Sequence, residues 1–467
     1  MGRKKLPAYE EITIEDIGAE GKAIARVDDM VVFVPGVVPG DVVNLQVTRK
    51  RKNYREARVT AFIRYSDLRV QPVCAHFGTC GGCKWQHLPY REQLRYKEKQ
   101  VSDAMQRIGR IRIGETLPII GSQHTEFYRN KLEYTFSNHR WLSEEETAED
   151  TVITNRNGLG FHVPGRFDRV VDVEKCYLQP EPGNTIRNTV KAFAHANNCS
   201  FYDHKTNEGL LRNLIIRTTT TGEVMVVLSV QYDVPVVYEM LDDLDRKVDG
   251  ITSLMFVVNT KKNETLYDQD IKVYRGRDHI IEEMDGLKFR IGPKSFFQTN
   301  TLQALQLYRK AREFAGLTGR EIVYDLYTGT GTIANYMAHA AKKVIGIESV
   351  PEAIEDAKVN AGLNGIENTV FRTGDMKALF TAEFISEHGQ PDVIITDPPR
   401  AGMHQDVVNE MLRIGARRIV YVSCNPATQA RDVQLLSEKY NVLKSQAVDM
   451  FPHTHHIENI LLLERRD

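Results

Sequence analysis

Cys424 closes the run IVYVSC and is followed at once by Asn425-Pro426. An apolar stretch stopped by proline reads as a buried parallel strand that carries a thiol at its carboxyl end. Ligands of open α/β sheets bind outside the carboxyl ends of the strands, so a thiol there is placed for chemistry. A solitary cysteine is more often a small buried hydrophobe, and its neighbours must decide between the two readings. Upstream, EIVYDLY leads into Tyr327-Thr328-Gly329-Thr330-Gly331-Thr332, and KVIGIE ends in Glu348. Glycines let the backbone approach a ligand closely and turn into a helix. An acid at the end of the next strand accepts hydrogen bonds from ribose hydroxyls.

Two cofactors fit this loop. Gly329-x-Gly331-x-x-Ala334 satisfies the dinucleotide fingerprint, a weak signal by itself. Proteins that bind S-adenosylmethionine use a similar loop with an acid ending the first strand, and Asp325 supplies that acid. The run DVIITDPPRAGM separates the two by placing Asp397-Pro398-Pro399-Arg400 at a strand end. An acid followed by two prolines at that place is typical of methyltransferases acting on planar nitrogen or carbon centres. It has no role in a dehydrogenase. Two prolines alone would also suit a plain strand exit, but the ordered set of loop, acid, prolines and thiol speaks against that.

These residues need a sheet to hold them. From about residue 295, strand-like runs (EIVYDLY, KVIGIES, TVFRTGD, DVIITD, RIVYVSC) alternate with helical ones, and a final β pair, NVLKSQAVDMF and HHIENILLLER, ends the chain. Such alternation means βαβ units and a mostly parallel, doubly wound sheet. Residues 8–65 show five short β-type runs and glycine turns without a helix, which predicts a small barrel of the OB kind. Residues 66–120 hold a cysteine cluster and a polar helix from Tyr90 to about Ile108. Residues 121–290 mix strands and helices in an order that periodicity does not reveal. The expected units are 1–66, 67–292 and 293–467, with the helical segment of about 90–120 packing on the last.

At 467 residues the chain is too long for one core. Its 42 % hydrophobic and 26 % charged residues are ordinary for a globular protein, and no apolar run approaches the ~18 residues of a membrane span. The basic start MGRKK is not followed by an apolar segment, so a cytoplasmic protein without a secretory signal is expected. In that compartment six cysteines should not form disulfides. The net charge of −1 hides two basic patches, RKRKNYREAR at 49–58 and the stretch 84–112 with Lys84, Arg91, Arg95, Lys97, Lys99, Arg107, Arg110 and Arg112. Patches of this kind suit a phosphate backbone as partner or, read more plainly, a solvated helix face.

With these residues in view, the sequence resembles the RNA uracil-5-methyltransferases. DPPRAG (397–402), IVYVSCNPAT (419–428) and DMFPHTHHIE (449–458) match the family's patterns, with His453 in place of a usual glutamine. SFFQTN (295–300), FYRNKLEYTF (127–136) and LRNLIIR (211–217) are also similar to family segments, whereas Thr328 stands where many members have cysteine. The resemblance implies a Rossmann-like α/β methyltransferase domain with an N-terminal TRAM barrel and an α+β central domain. It implies Cys424 as the nucleophile that adds to C6 of uracil and Glu458 as the base that removes the C5 proton. HIENILLLER reads as a buried strand, in which a carboxylate has a raised pKa suited to a base. By the same carry-over Gln298, Tyr327, Thr332, Glu348, Asp375 and Asp397 contact S-adenosylmethionine. The target base must be flipped out or unpaired to be reached.

Cys74-x5-Cys80-x2-Cys83 and the distant Cys176 form the remaining constellation. Four thiolates can hold zinc or an iron–sulfur cluster, and the spacing leaves both open. The resemblance points to a [4Fe–4S] cluster, as in the rRNA-modifying branch, and to 23S rRNA as substrate, with tRNA as the alternative. Cys199 reads as core, and the HTHH run (453–456) is explained by its place in the family motif. A Rossmann oxidoreductase, a non-catalytic RNA-binding protein and an amino-group methyltransferase are the competing readings. Asp397-Pro398-Pro399 and Cys424 oppose the first, the complete set of site residues the second, and Cys424 the third. A monomer is expected, because RNA supplies the partner surface.

Overall fold

The computed structural model describes residues 6–143, 146–147 and 153–466. The first five residues of the expected barrel lie outside the described residues. Six strands, Ala8–Thr13, Asp16–Ile17, Ala23–Val27, Met30–Val34, Val42–Lys50 and Tyr54–Arg64, form the N-terminal sheet. Five were expected, and the additional one is a two-residue strand. Val42–Lys50 buries alternate residues, so Val43, Leu45 and Val47 meet Ile14, Ala25 and Val32 in one core. Each valine, leucine or isoleucine among them stabilises by roughly 1.5–3 kcal/mol when fully buried. The hairpin tip between the last two strands carries Arg49, Lys50, Arg51 and Lys52 into solvent.

The central sheet has seven strands in the order Val170–Asp172, Gly158–His162, Lys131–Ser137, Leu211–Thr218, Val224–Val230, Ile251–Val258, Ile271–Gly276. Only Val224–Val230 and Ile251–Val258 pair in parallel, and the helix Pro235–Lys247 makes the crossover that such a pair needs.

The third sheet positions the candidate site. Its order is Thr369–Thr373, Lys343–Glu348, Ile322–Leu326, Val393–Thr396, Arg418–Ser423, Glu458–Arg465, Tyr440–Val448, Ile113–Ile120. The first five strands are mutually parallel. Glu458–Arg465 runs antiparallel to both neighbours. The chain order reverses beside Ile322–Leu326, which opens a crevice at the carboxyl ends of the strands.

Seven of these strands are those the sequence predicts. The eighth, Ile113–Ile120, comes from the segment expected as the tail of a helix. The helix itself runs Tyr90–Ala104 and continues as a π-turn at Met105–Gly109, close to the expected end near Ile108 but short of 120, and packs on the helix Pro426–Leu436. Lys97 is a further departure: the basic patch places it in solvent or on RNA, yet it is fully buried. The expected division at 292–293 falls between the hairpin Ile280–Met284/Leu287–Ile291 and the helix Thr301–Ala315, which bury Phe289, Ile291, Ala304 and Leu307 in one core.

Candidate active site

The sheet brings most of the expected residues to one edge. Tyr327, Asp397 and Cys424 each follow a parallel strand directly, Glu348 ends one, and Asp375 lies two residues past another. Glu458 begins the antiparallel strand, so its amino end reaches the same edge. Ser423 pairs with Asn459, and continuing that register by one residue sets Cys424 opposite Glu458. Thr332 opens the helix Thr332–Ala338. Gln298 precedes the helix Thr301–Ala315, and its carbonyl accepts from Asn130 Nδ2 at 2.9 Å. Asp375 is exposed and caps the next helical turn, accepting from Lys377 N–H at 2.9 Å.

The glycine loop is locally strained and well anchored. Tyr327 has φ +65°, a left-handed conformation uncommon for an aromatic residue. Thr328 Oγ1 donates to Asp325 Oδ2 at 2.5 Å, and Gly329 N–H donates to Glu348 Oε2 at 3.2 Å. A methyl group on Gly331 would stand 2.7 Å from Ala357 Cβ, whereas one on Gly329 would project into open space. Both glycines have positive φ, so alanine at either costs about 1–2 kcal/mol in strain. Gly331→Ala adds a clash and should lower the unfolding temperature more. Gly329→Ala should weaken titration-calorimetric binding of S-adenosylmethionine beyond its effect on stability.

Buried acids gather at this edge of the sheet. Asp325 is 1 % exposed, burial pushes its carboxyl up to about 7, and its Oδ1 has no hydrogen-bond partner. Burial also raises Asp397, and Glu458 is held well above the ordinary carboxylate range by burial and by the neighbouring Asp397. Burial pushes the Cys424 thiol up to about 11, with Glu458 and Asp397 adding to the rise and Arg400 opposing it. Such a group of acids suits a cation. The sulfonium and ammonium of S-adenosylmethionine would relieve repulsion among the carboxylates and give the orphaned oxygen of Asp325 a partner.

Arg400 and His456 are a pairing the sequence did not reveal. Arg400 Nη2 lies 2.6 Å from His456 Nδ1. Guanidinium only donates, so Nδ1 accepts, and burial holds His456 neutral by lowering it to about 4. The Arg400 carbonyl accepts from Asn425 Nδ2 at 3.0 Å and Thr428 Oγ1 at 3.2 Å, which ties the two-proline loop to the cysteine loop. Peptide-level iodoacetamide labelling of Cys424 should therefore accelerate about tenfold per pH unit from pH 7 to 10, because only the thiolate reacts. Arg400→Met removes the opposing cation, raises the thiol further and should slow labelling at any fixed pH.

Cys74, Cys80, Cys83 and Cys176 line one small cavity with Phe161 and Tyr177. Burial pushes Cys80 up to about 11 and Cys83 to about 12. Among the described residues no three His, Cys, Asp or Glu side chains stand close enough to hold a single metal ion. Cys199 is 6 % exposed in the central core. No helix among the described residues is long and apolar enough to cross a membrane.

A doubly wound sheet with buried acids at the carboxyl ends of its strands fits a Rossmann-like, S-adenosylmethionine-dependent methyltransferase. The profile of the tRNA (Uracil-5-)-methyltransferase family matches residues 268–466, and that of the TRAM domain matches residues 5–60. An RNA methyltransferase of Bacteroides thetaiotaomicron is 58 % identical over 454 residues, covering 96 % of this chain and all of the relative. One from Porphyromonas gingivalis is 55 % identical over 460 residues, covering 97 % and 99 %. The tRNA (uracil-54, C5)-methyltransferase of Pyrococcus abyssi, solved in complex with S-adenosyl-L-homocysteine, superposes with a TM-score of 0.76 at 29 % identity, covering 97 % of this chain and 99 % of that one. The chain belongs to the RNA uracil-5-methyltransferase family, and is an enzyme that methylates RNA with S-adenosylmethionine as donor.

Proposed function

We propose that the enzyme methylates C5 of a uridine through a transient bond between Cys424 Sγ and C6 of uracil. C5 of uracil is a poor nucleophile. Addition of the Cys424 thiolate to C6 opens the C5=C6 bond and leaves an enolate, whose C5 is nucleophilic. S-adenosylmethionine, when bound, supplies an electrophilic methyl carbon on a sulfonium. Glu458 then takes the C5 proton, the C5=C6 bond re-forms, and the C6–S bond breaks to free Cys424. The observation that carries this reading is the strand register that sets Cys424 opposite the buried Glu458, with Asp397 beside both.

Gln298, Tyr327, Thr332, Glu348, Asp375 and Asp397 would hold the donor, with Asp397 also within reach of the uracil edge. Cys74, Cys80, Cys83 and Cys176 would hold a [4Fe–4S] cluster. A single zinc needs its sulfurs about 2.3 Å from one point. The four thiols line one cavity, and the choice of a cluster over zinc rests on the resemblance to the rRNA-modifying enzymes. In this reading the cluster would tie the segment 74–83 to Cys176, and methyl transfer needs no redox step.

We take 23S rRNA as the substrate, on the resemblance of barrel and cysteine cluster to rRNA enzymes. The second reading, tRNA, is favoured by the likeness to the Pyrococcus abyssi tRNA (uracil-54, C5)-methyltransferase. Nucleoside mass spectrometry of fractionated RNA from a deletion strain decides. The proposal expects 5-methyluridine to vanish from an rRNA position and persist in tRNA, and the reverse result would overturn the assignment.

A further inference from the structure

The connection 449–457 joins the strands Tyr440–Val448 and Glu458–Arg465, carries His456 and ends at Glu458. It contains no regular helix or strand, so side chains from elsewhere must hold its shape. Lys97 is fully buried, as is Gln93 one turn earlier. Its ammonium is 0 % exposed, lies 2.5 Å from Asp449 Oδ1, and donates to the Phe451 carbonyl at 3.0 Å. Tyr90 Oη donates to the other carboxylate oxygen of Asp449 at 2.9 Å, and Phe451 N–H donates back to Oδ1 at 3.0 Å. One turn before Lys97, Gln93 Oε1 accepts from His453 N–H at 2.8 Å, while its Nε2 faces His453 Nδ1 at 3.2 Å. On the opposite side Asn300 Nδ2 donates to Met450 O at 3.0 Å, and Gln303 Nε2 to Asp449 O at 2.9 Å.

A buried ion pair is weak evidence for stability, because desolvation offsets the attraction and an apolar pair of similar volume serves as well. What such a pair does supply is a unique geometry: a charge so deeply buried tolerates one arrangement of its partner. Here that partner begins the connection that delivers Glu458 to the site. Lys97 touches none of the expected donor or base contacts, so any effect on chemistry must pass through the connection it holds, at Asp449 and the Phe451 carbonyl.

We propose that Lys97 is a positioning residue of the methylation cycle. Through that connection it fixes where Glu458 stands against Cys424, and so sets the rate at which the methylated base is released. The proposal rests on the covalent mechanism above. A base displaced by about 1 Å costs on the order of 10²-fold in its own step and leaves earlier steps nearly untouched.

The test uses the full-length protein and two variants, Lys97→Met and the double variant Lys97→Met/Asp449→Asn, whose neutral amide leaves no unpaired buried charge and keeps an oxygen for Phe451 N–H if the single variant does not fold. On 5-fluorouridine RNA, where release is blocked, wild type and variants should form the Cys424 adduct at similar rates. Failure of the wild type there refutes the covalent mechanism itself. On ordinary RNA with S-adenosylmethionine, the variants should accumulate methylated RNA bound to Cys424, with release slowed ~10²-fold and single-turnover methyl transfer close to wild type. Wild-type release in both folded variants, or equal loss of methyl transfer and release, would overturn the positioning role.

Discussion

Glu458→Gln should leave Cys424 joined to methylated RNA. The amide keeps the size of the side chain and cannot take the C5 proton, so the cycle stops after methyl transfer. Loss of a general base slows its step by roughly 10²–10⁴-fold. Attack should not suffer, because the charge of Glu458 is one of the influences that hold the Cys424 thiol high. Its removal lets the thiol pKa fall toward the ordinary range and favours thiolate. Denaturing electrophoresis with a methyl-labelled donor should show a protein–RNA band in this variant that is faint in wild type. Multiple-turnover product should drop while one methyl group per enzyme is still transferred. Loss of both methyl transfer and the band would assign Glu458 to attack or binding instead.

Cys424→Ala should abolish turnover by roughly 10⁶-fold, the order seen when an essential nucleophile is removed. C5 of uracil has no other route to nucleophilicity here. Cys424 stands beyond the end of its strand and only half-buried, so truncation should leave the unfolding temperature and calorimetric donor binding near wild type. Methyl transfer surviving at even a hundredth of the wild-type rate would rule out a covalent route through this thiol.

How much of this was legible in the sequence depends on how local the signal is. Seven strands of the third sheet are apolar runs closed by glycine, an acid or proline, and each holds its chemistry within a few residues of its end. The strand Ile113–Ile120 is not legible, because Gly114 and Pro118 interrupt it. An edge strand tolerates both: Gly114 lies where a methyl group would meet the Leu443 carbonyl at 2.8 Å, and the Pro118 carbonyl accepts from Gln446. The central sheet hides its order for a different reason. Leu211–Thr218 and Val224–Val230 are buried along their whole length, which erases the alternation that marks an exposed face.

Cys424 and Glu458 stand out because each sits in a short motif, yet their opposition follows from a register that no local pattern specifies. Lys97 was misread for the same reason. Its helix is polar and basic by composition, and the carboxylate that buries its charge lies 352 residues away. Arg400 and His456 were both visible within motifs, but only the fold brings guanidinium and imidazole together.

The central claim is the bond between Cys424 and uracil C6, and its most direct measurement is trapping. The enzyme is incubated with S-adenosylmethionine and RNA carrying 5-fluorouridine at the target position, then denatured, digested and mapped by mass spectrometry. The mechanism predicts a stable adduct on the Cys424 peptide that contains one methylated 5-fluorouridine and is absent from Cys424→Ala. Methylation of ordinary RNA by the same preparation with no adduct on Cys424 would contradict it.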